Sequence, residues 1–278
     1  MDPNGYAYLP KQYHDDHDTC EFLVGQLETF LLGEAFHELR RQAIELSPDV
    51  EPMEEGEYAL DYLMRAGRQE EHDQLVMCHT IYGLLSDSCY FIREALDASR
   101  KRRLTVAFAL LRKPFVYNLP VLLRLYLEEG FLEQFNTRED FDATSIPKQF
   151  LLELIEASCS MSVSGTLKRD DVYNIIFNRE DPHSLINMSN MALHPVTTRH
   201  WASMTGAKNL NLMFNTPKSL DSQWGYIYRK LPFLINYMLE CTDMIIFGVL
   251  KLDPALYGKR MEERAAFYIS QGRAGKKI

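Results

Sequence analysis

The sequence predicts an all-α protein, a multi-helix bundle with long central helices. Three observations carry that expectation. Apolar residues recur at three- and four-residue steps wherever a period can be read. Few stretches alternate with period two, and β-branched residues are not clustered between turn signals, so a sheet has little to be built from. The composition, 46% hydrophobic and 25% charged with 14 Gly and 12 Pro in 278 residues, is that of a globular chain and excludes the disordered and fibrous classes. No fixed-period repeat is visible, which argues against a solenoid.

Residues 1–17 read as a polar N-terminal tail. Asp18-Thr19-Cys20-Glu21 then has the D-x-x-E form of a helix start, and Leu27, Leu31, Ala35, Leu39 and Ala43 recur every fourth residue until Ser47-Pro48 stops one long amphipathic helix. A short helix over 54–66 is expected to end where Gly67 supplies a left-handed cap. Leu75, Cys78, Tyr82, Leu85, Cys89, Ile92 and Leu96 mark a buried bundle helix. Helical patterns follow at 104–113, 121–129, 147–158, 169–177 and 184–193, with Pro114 expected to end the first of them. A last long helix runs from about 220 to 250. The polar stretch 136–145 and the small-residue stretch 160–165 are breaks that allow an internal division, although a single all-helical domain over 18–271 is the preferred reading, followed by a basic tail at 272–278.

The chain carries 30 Lys plus Arg against 39 Asp plus Glu, a net charge of −9, which excludes a generally basic, histone-like nucleic-acid binder. Its five Cys form no C-x-x-C pair and lie mostly in apolar helical patterns, so they read as reduced core residues. With an opening, Met1-Asp2-Pro3-Asn4, that lacks a signal-peptide pattern, this predicts a cytoplasmic protein. Residues 104–127 and 231–252 are about long enough to span a bilayer. Arg112, Lys113, Arg124, Glu240 and Asp243 inside them argue against it, so no membrane association is expected.

Two constellations stand out. Between positions 100 and 127 lie Arg100, Lys101, Arg102, Arg103, Arg112, Lys113 and Arg124 with no acidic residue, a basic face able to hold the phosphates of RNA or a nucleotide. Arg100 to Arg103 can equally be the cationic end of a long helix, complementing its dipole. Arg112, set among Leu110, Leu111 and Phe115, needs a carboxylate or phosphate partner, and its apolar flanks favour an internal ion pair. The second constellation is MALHPVTTRHW followed by Asn209-Leu210-Asn211, which gathers His194, Thr198, Arg199, His200, Asn209 and Asn211 around a helix break at Pro195. A His there can act as acid or base and Arg199 can hold an anion. The structural alternative has Thr197 and Thr198 capping a following helix. In YHDDHD, His14 and His17 alternate with carboxylates, but no further ligand sits at a zinc-like spacing, so neither a metal nor a cofactor is expected. The common nucleotide-loop and hydrolase signatures are absent.

Long helices with a basic break and a His/Arg-bearing segment resemble the HEPN class of all-α domains over the central bundle from about Leu75 onward. That class's motif is Arg, four to six residues, then His. Arg65 and His72 have that spacing, with Ala66 where the class usually has a polar residue. The resemblance implies a metal-independent ribonuclease of prokaryotic defence, or a non-cleaving relative of one.

Three readings follow. The first is a cytosolic all-α binding protein that presents Arg100, Lys101, Arg102, Arg103, Arg112, Lys113 and Arg124, with Thr198, Asn209 and Asn211, to RNA or a nucleotide. The second is a ribonuclease in which His194 or His200 is the acid/base and Arg112 or Arg199 stabilises phosphorane charge. The third is a scaffold that forms homo-oligomers.

Overall fold

The computed structural model describes residues 5–45, 51–162, 165–211 and 216–272, and every regular element among them is helical. Eleven α-helices follow one another: α1 (His14–Leu32), α2 (Ala59–Arg65), α3 (Gln69–Arg100), α4 (Leu104–Arg112), α5 (Leu119–Leu127), α6 (Phe131–Thr137), α7 (Lys148–Met161), α8 (Arg169–Ile176), α9 (Leu185–Leu193), α10 (Pro217–Leu250) and α11 (Pro254–Ser270). The long α3 packs on α1 and α4, α10 packs on α1, α4 packs on α9, and α5 packs on α7. One cluster of buried apolar side chains runs through all of these, from Leu23 and Leu27 through Ile81, Phe108 and Phe115 to Leu154, Tyr228 and Tyr237. It draws residues from both sides of 136–165, so the breaks there do not separate two cores.

The stripe read for α3 is buried as expected: Cys78, Leu85, Cys89, Ile92 and Leu96 have no exposed surface. All five thiols are buried and none forms a disulfide. Burial pushes the Cys89 thiol up to about 12, so it remains a neutral core group. Gly67 takes φ +70° directly after α2, and Arg68 N–H bonds back to Leu63 O at 2.8 Å. This is the left-handed helix end that the sequence predicts.

Several expectations are corrected. Residues 5–13 form no tail: Leu9 and Tyr13 are buried, Tyr8 N–H donates to Arg100 O at 3.0 Å, and Tyr6 stacks on His14 at 3.7 Å while donating to Asp18 at 2.7 Å. Tyr6, Leu9 and Tyr13 are apolar enough to join the core, and the intervening polar residues masked that signal. α1 begins four residues before Asp18, which lies inside the helix. The expected helix to 47 stops at Gly33, and a 3-10 stretch (Glu34–Leu39) replaces its second half. Leu27, Leu31 and Leu39 are buried, but Ala35 and Ala43 are exposed, so two small residues had extended the period past its end. α6 occupies part of what read as linker, and α11 follows α10 after a turn at Lys251 with φ +50°. Only Gln271 and Gly272 follow α11 here, so the basic tail at 272–278 lies almost wholly outside the described residues.

Three helical stretches, Gln69–Arg100, Leu104–Leu127 and Pro217–Leu250, are long and apolar enough to cross a membrane by length and composition. Their most apolar windows are 39%, 67% and 56% buried within the protein.

Candidate functional site

Pro114 does not end α4. Residues Lys113–Asn118 form a π-helical turn in which Leu119 N–H donates to Pro114 O, five residues back, and the chain continues directly into α5. A proline ring lacks the N–H and crowds the preceding turn, and a widened turn relieves both problems without breaking the helix. Asn118 fixes the turn to α3 through Nδ2, which donates to Asp87 Oδ2 at 2.9 Å and Ser88 Oγ at 3.0 Å.

This turn, with the end of α4, forms one wall of a cavity of about 350 Å³. Arg112 and Tyr117 line it from that side. Lys148 of α7, Tyr173 of α8, then Arg179, Glu180 and His200 line it from the other. Three cations thus surround a single carboxylate. Arg112 Nε donates to Tyr117 Oη at 2.9 Å, its guanidinium lies 5.3 Å from the Tyr117 ring centroid, and Nη1 donates to Asn190 Oδ1 on α9. These partners are neutral. The internal carboxylate favoured for Arg112 from its apolar flanks is not there: among the described residues it makes no ion pair. It lies at the cavity edge, where α9 offers an amide. Lys148 Nζ sits 5.3 Å from the Tyr173 ring centroid, and the Arg179 guanidinium has no partner among the described residues. Glu180 accepts from Trp201 Nε1 at 2.6 Å and meets His200 Nε2 at 3.2 Å, while His200 Nδ1 is buried with no hydrogen-bond partner.

The basic residues read from the sequence do not make one face. Arg100 and Lys101 both pair with Asp97, at 2.7 Å each, and Arg100 also donates to Gly5 O. Arg102 lies 4.5 Å from the Tyr8 ring centroid in the turn before α4, and Arg103 is exposed there. Lys113 pairs with Asp87 at 2.9 Å and lies 4.8 Å from the Phe91 ring centroid. Arg124 is buried. It pairs with Glu128, donates to Ala143 O at 2.7 Å, and lies over the rings of Phe131 and Phe141, so its role is to hold the 138–146 loop. Arg112 alone of the seven reaches the cavity, because helix geometry spreads residues 100–124 along more than one helix and around their faces.

Of the 194–211 segment, His200 lines the cavity and His194, Thr198, Arg199 and Asn209 do not. Those four are exposed. Asn209 Oδ1 accepts from Leu210 N–H at 2.9 Å. Asn211 is a clasp, donating to His194 O and Thr197 Oγ1 at 2.9 Å each and accepting from Thr205 Oγ1 at 2.8 Å. Thr197 belongs to this clasp instead of capping a helix. Tyr117, Lys148, Tyr173, Arg179 and Glu180 were not singled out in the sequence. The polar break Asn178-Arg179-Glu180-Asp181 after a helical pattern was a signal of the same type as the one read at Pro195.

Arg65 and His72 lie on either side of the Gly67 turn. Arg65 is spent on Glu57 and Glu51, at 2.9 Å and 3.4 Å, and His72 Nδ1 meets Asp73 Oδ1 at 2.9 Å. His14 bonds Leu9 O, and His17 bonds Tyr228 Oη at 3.0 Å. Burial holds His17 down to about 4, so its 3.7 Å approach to Glu21 is a contact of a neutral ring.

Comparison with known proteins finds no family model that matches the chain, and no curated protein and no solved structure similar to it.

Proposed function

We propose that the protein binds a nucleotide-sized, phosphate-bearing ligand in the cavity between the π turn, α7, α8 and His200. The observation that carries this reading is the convergence of Arg112, Lys148 and Arg179 around Tyr117 and Tyr173, in a space within the range of small-molecule sites. Guanidinium and ammonium groups with neutral or no partners favour an incoming phosphate, and the tyrosines offer faces on which a base can stack. The size favours a single nucleotide, or one nucleotide of an RNA strand, over a duplex lying along a basic face.

Calorimetric titration of the full chain with the four ribonucleoside monophosphates and the four matching nucleosides tests this. Binding of at least one monophosphate, with its nucleoside much weaker, is the expected result. Equal binding of nucleoside and nucleotide, or no binding of either, contradicts it.

One observation supports the ribonuclease reading as a second proposal. His200 is held by Glu180 through one ring nitrogen, its other nitrogen lacks a partner, and Arg112 lines the same cavity. A histidine oriented by a carboxylate beside a guanidinium has the parts for proton transfer with stabilisation of phosphorane charge. Cleavage of single-stranded RNA in the presence of a chelator, lost in His200→Ala, is the outcome that reading requires.

A further inference from the structure

The segment 194–211 between α9 and α10 is closed on itself. Asn211 N–H donates to Pro195 O at 2.7 Å and Thr205 N–H to Thr197 O at 2.9 Å, and the Thr197, Thr205 and Asn211 side chains bond to one another. Loops closed in this way run over the surface and frequently carry function. This one keeps large apolar side chains in solvent. Trp201 is 62% exposed and Met204 59%, and Val196, Leu210 and Leu193, where α9 enters the loop, are also exposed. A 3-10 turn (Trp201–Ser203) joins Trp201 to Met204, and Met204 N–H donates to Trp201 O at 3.3 Å. Exposed apolar residues scattered singly need no explanation, whereas four in one closed loop, with Leu193 beside them, do.

The charges the loop itself carries are all positive. From position 182 to 220 the sequence has no Asp or Glu but has Arg199, Lys208 and Lys218, in a chain whose net charge is −9. The carboxylate that meets the loop is Glu180, through Trp201 Nε1 and His200. We propose that this loop docks the protein onto an anionic lipid surface, Trp201, Met204, Val196 and Leu210 entering the interfacial zone while Arg199 and Lys208 meet headgroup phosphates. Tryptophan suits that zone because its body is apolar and its tip polar, and cations beside an apolar insert add attraction to anionic lipid. Of the four only Trp201 has a face for base stacking, and Val196, Met204 and Leu210 have none, which disfavours RNA as the occupant. Two copies of one cationic loop placed face to face repel, which disfavours a symmetric dimer through it.

Flotation of the full chain with vesicles of phosphatidylcholine containing about a third phosphatidylglycerol, against phosphatidylcholine alone, tests the proposal. Co-flotation with the anionic vesicles, weakened as salt rises from about 0.1 M to about 0.5 M, is expected. Trp224 is buried, so a blue shift of tryptophan emission on vesicle addition reports Trp201. Met204→Ser with Leu210→Ser should lower partitioning about tenfold. Arg199→Gln with Lys208→Gln should do the same on anionic vesicles, and serves if the serine pair fails to fold. Neither pair alters a residue lining the cavity, so nucleotide titration is unaffected. Absence of flotation, or flotation indifferent to both pairs, overturns the proposal. So does a concentration-dependent dimer abolished by the serine pair, or RNA retained through Arg199 and Lys208 in place of vesicles.

Discussion

Arg260 and Arg264 on α11 and Arg112 on α4 are all arginines set against the protein body, and they are answered in opposite ways. Arg260 and Arg264 are both about 5% exposed and converge on one buried carboxylate, Asp243 of α10, with Arg260 Nε at 2.9 Å from Oδ1 and Arg264 Nη2 on Oδ2. Arg260 also donates to Thr29 Oγ1 and to Gln26 O at 3.0 Å, and its guanidinium lies 4.0 Å from the Phe30 ring centroid. That cluster fastens α11 to α10 and α1. Arg112 receives a phenol and an amide, both neutral, and lies beside a cavity with two further cations. Where a guanidinium holds helices together the fold supplies a carboxylate, and where one frames the cavity the fold gives it a phenol and an amide.

The largest expected effect is at the first of these regions. Asp243→Ala strands two enclosed guanidinium groups and should cost about 3–5 kcal/mol, lowering Tm by about 10 °C. Calorimetric unfolding gives the number, and a loss below about 1 kcal/mol breaks the contrast between the regions.

A buried base that is kept neutral comes next. His17 is held down to about 4 chiefly by burial, so the unfolded chain takes up a proton at a pH where the native one does not. Stability is therefore full above about pH 6.5 and falls as pH drops towards 4, by a few kcal/mol at most. Urea midpoints measured across that range should show the fall, and His17→Gln should flatten it. A midpoint that rises on acidification contradicts the burial of this ring.

Much of the fold was legible because it rests on periodicity. The Leu75 to Leu96 stripe and the Gly67 helix end are written locally, in spacing and in one left-handed position. The N-terminal residues and the π turn were not. Leu9 and Tyr13 are buried, and this stretch is held by groups far away in the chain, Tyr8 by Arg100 and Tyr13 by Asp221 and Tyr228. Pro114 reads as a helix stop unless the widened turn behind it is seen. The site was legible in fragments. Arg112 and His200 were each marked by an awkward local setting, yet their meeting in one cavity depends on α4 packing against α9. Lys148 carries no local sign of a site, and Arg179 lies in a polar break that was passed over, of the same type as the one at Pro195. The basic run at 100–103 was conspicuous in sequence and is largely answered by Asp97 and Tyr8 in space.

The smallest stability effect belongs to Arg112. Arg112→Gln removes hydrogen bonds to neutral partners from a half-buried side chain and leaves no charge stranded, so it should cost about 1 kcal/mol or less. Its effect on ligand should be larger than its effect on the fold, which is the reverse of Asp243→Ala.

Measuring both quantities on one protein tests this most directly: the Tm of Arg112→Gln, and its affinity for the tightest-binding nucleoside monophosphate at two salt concentrations. The account predicts a Tm close to that of the parent chain and an affinity about 10–100-fold weaker, with a shallower salt dependence, as expected for loss of one charged contact to phosphate. A marked fall in Tm with nucleotide affinity unchanged would contradict it and would place Arg112 with Arg260 and Arg264 among the cations that hold the fold.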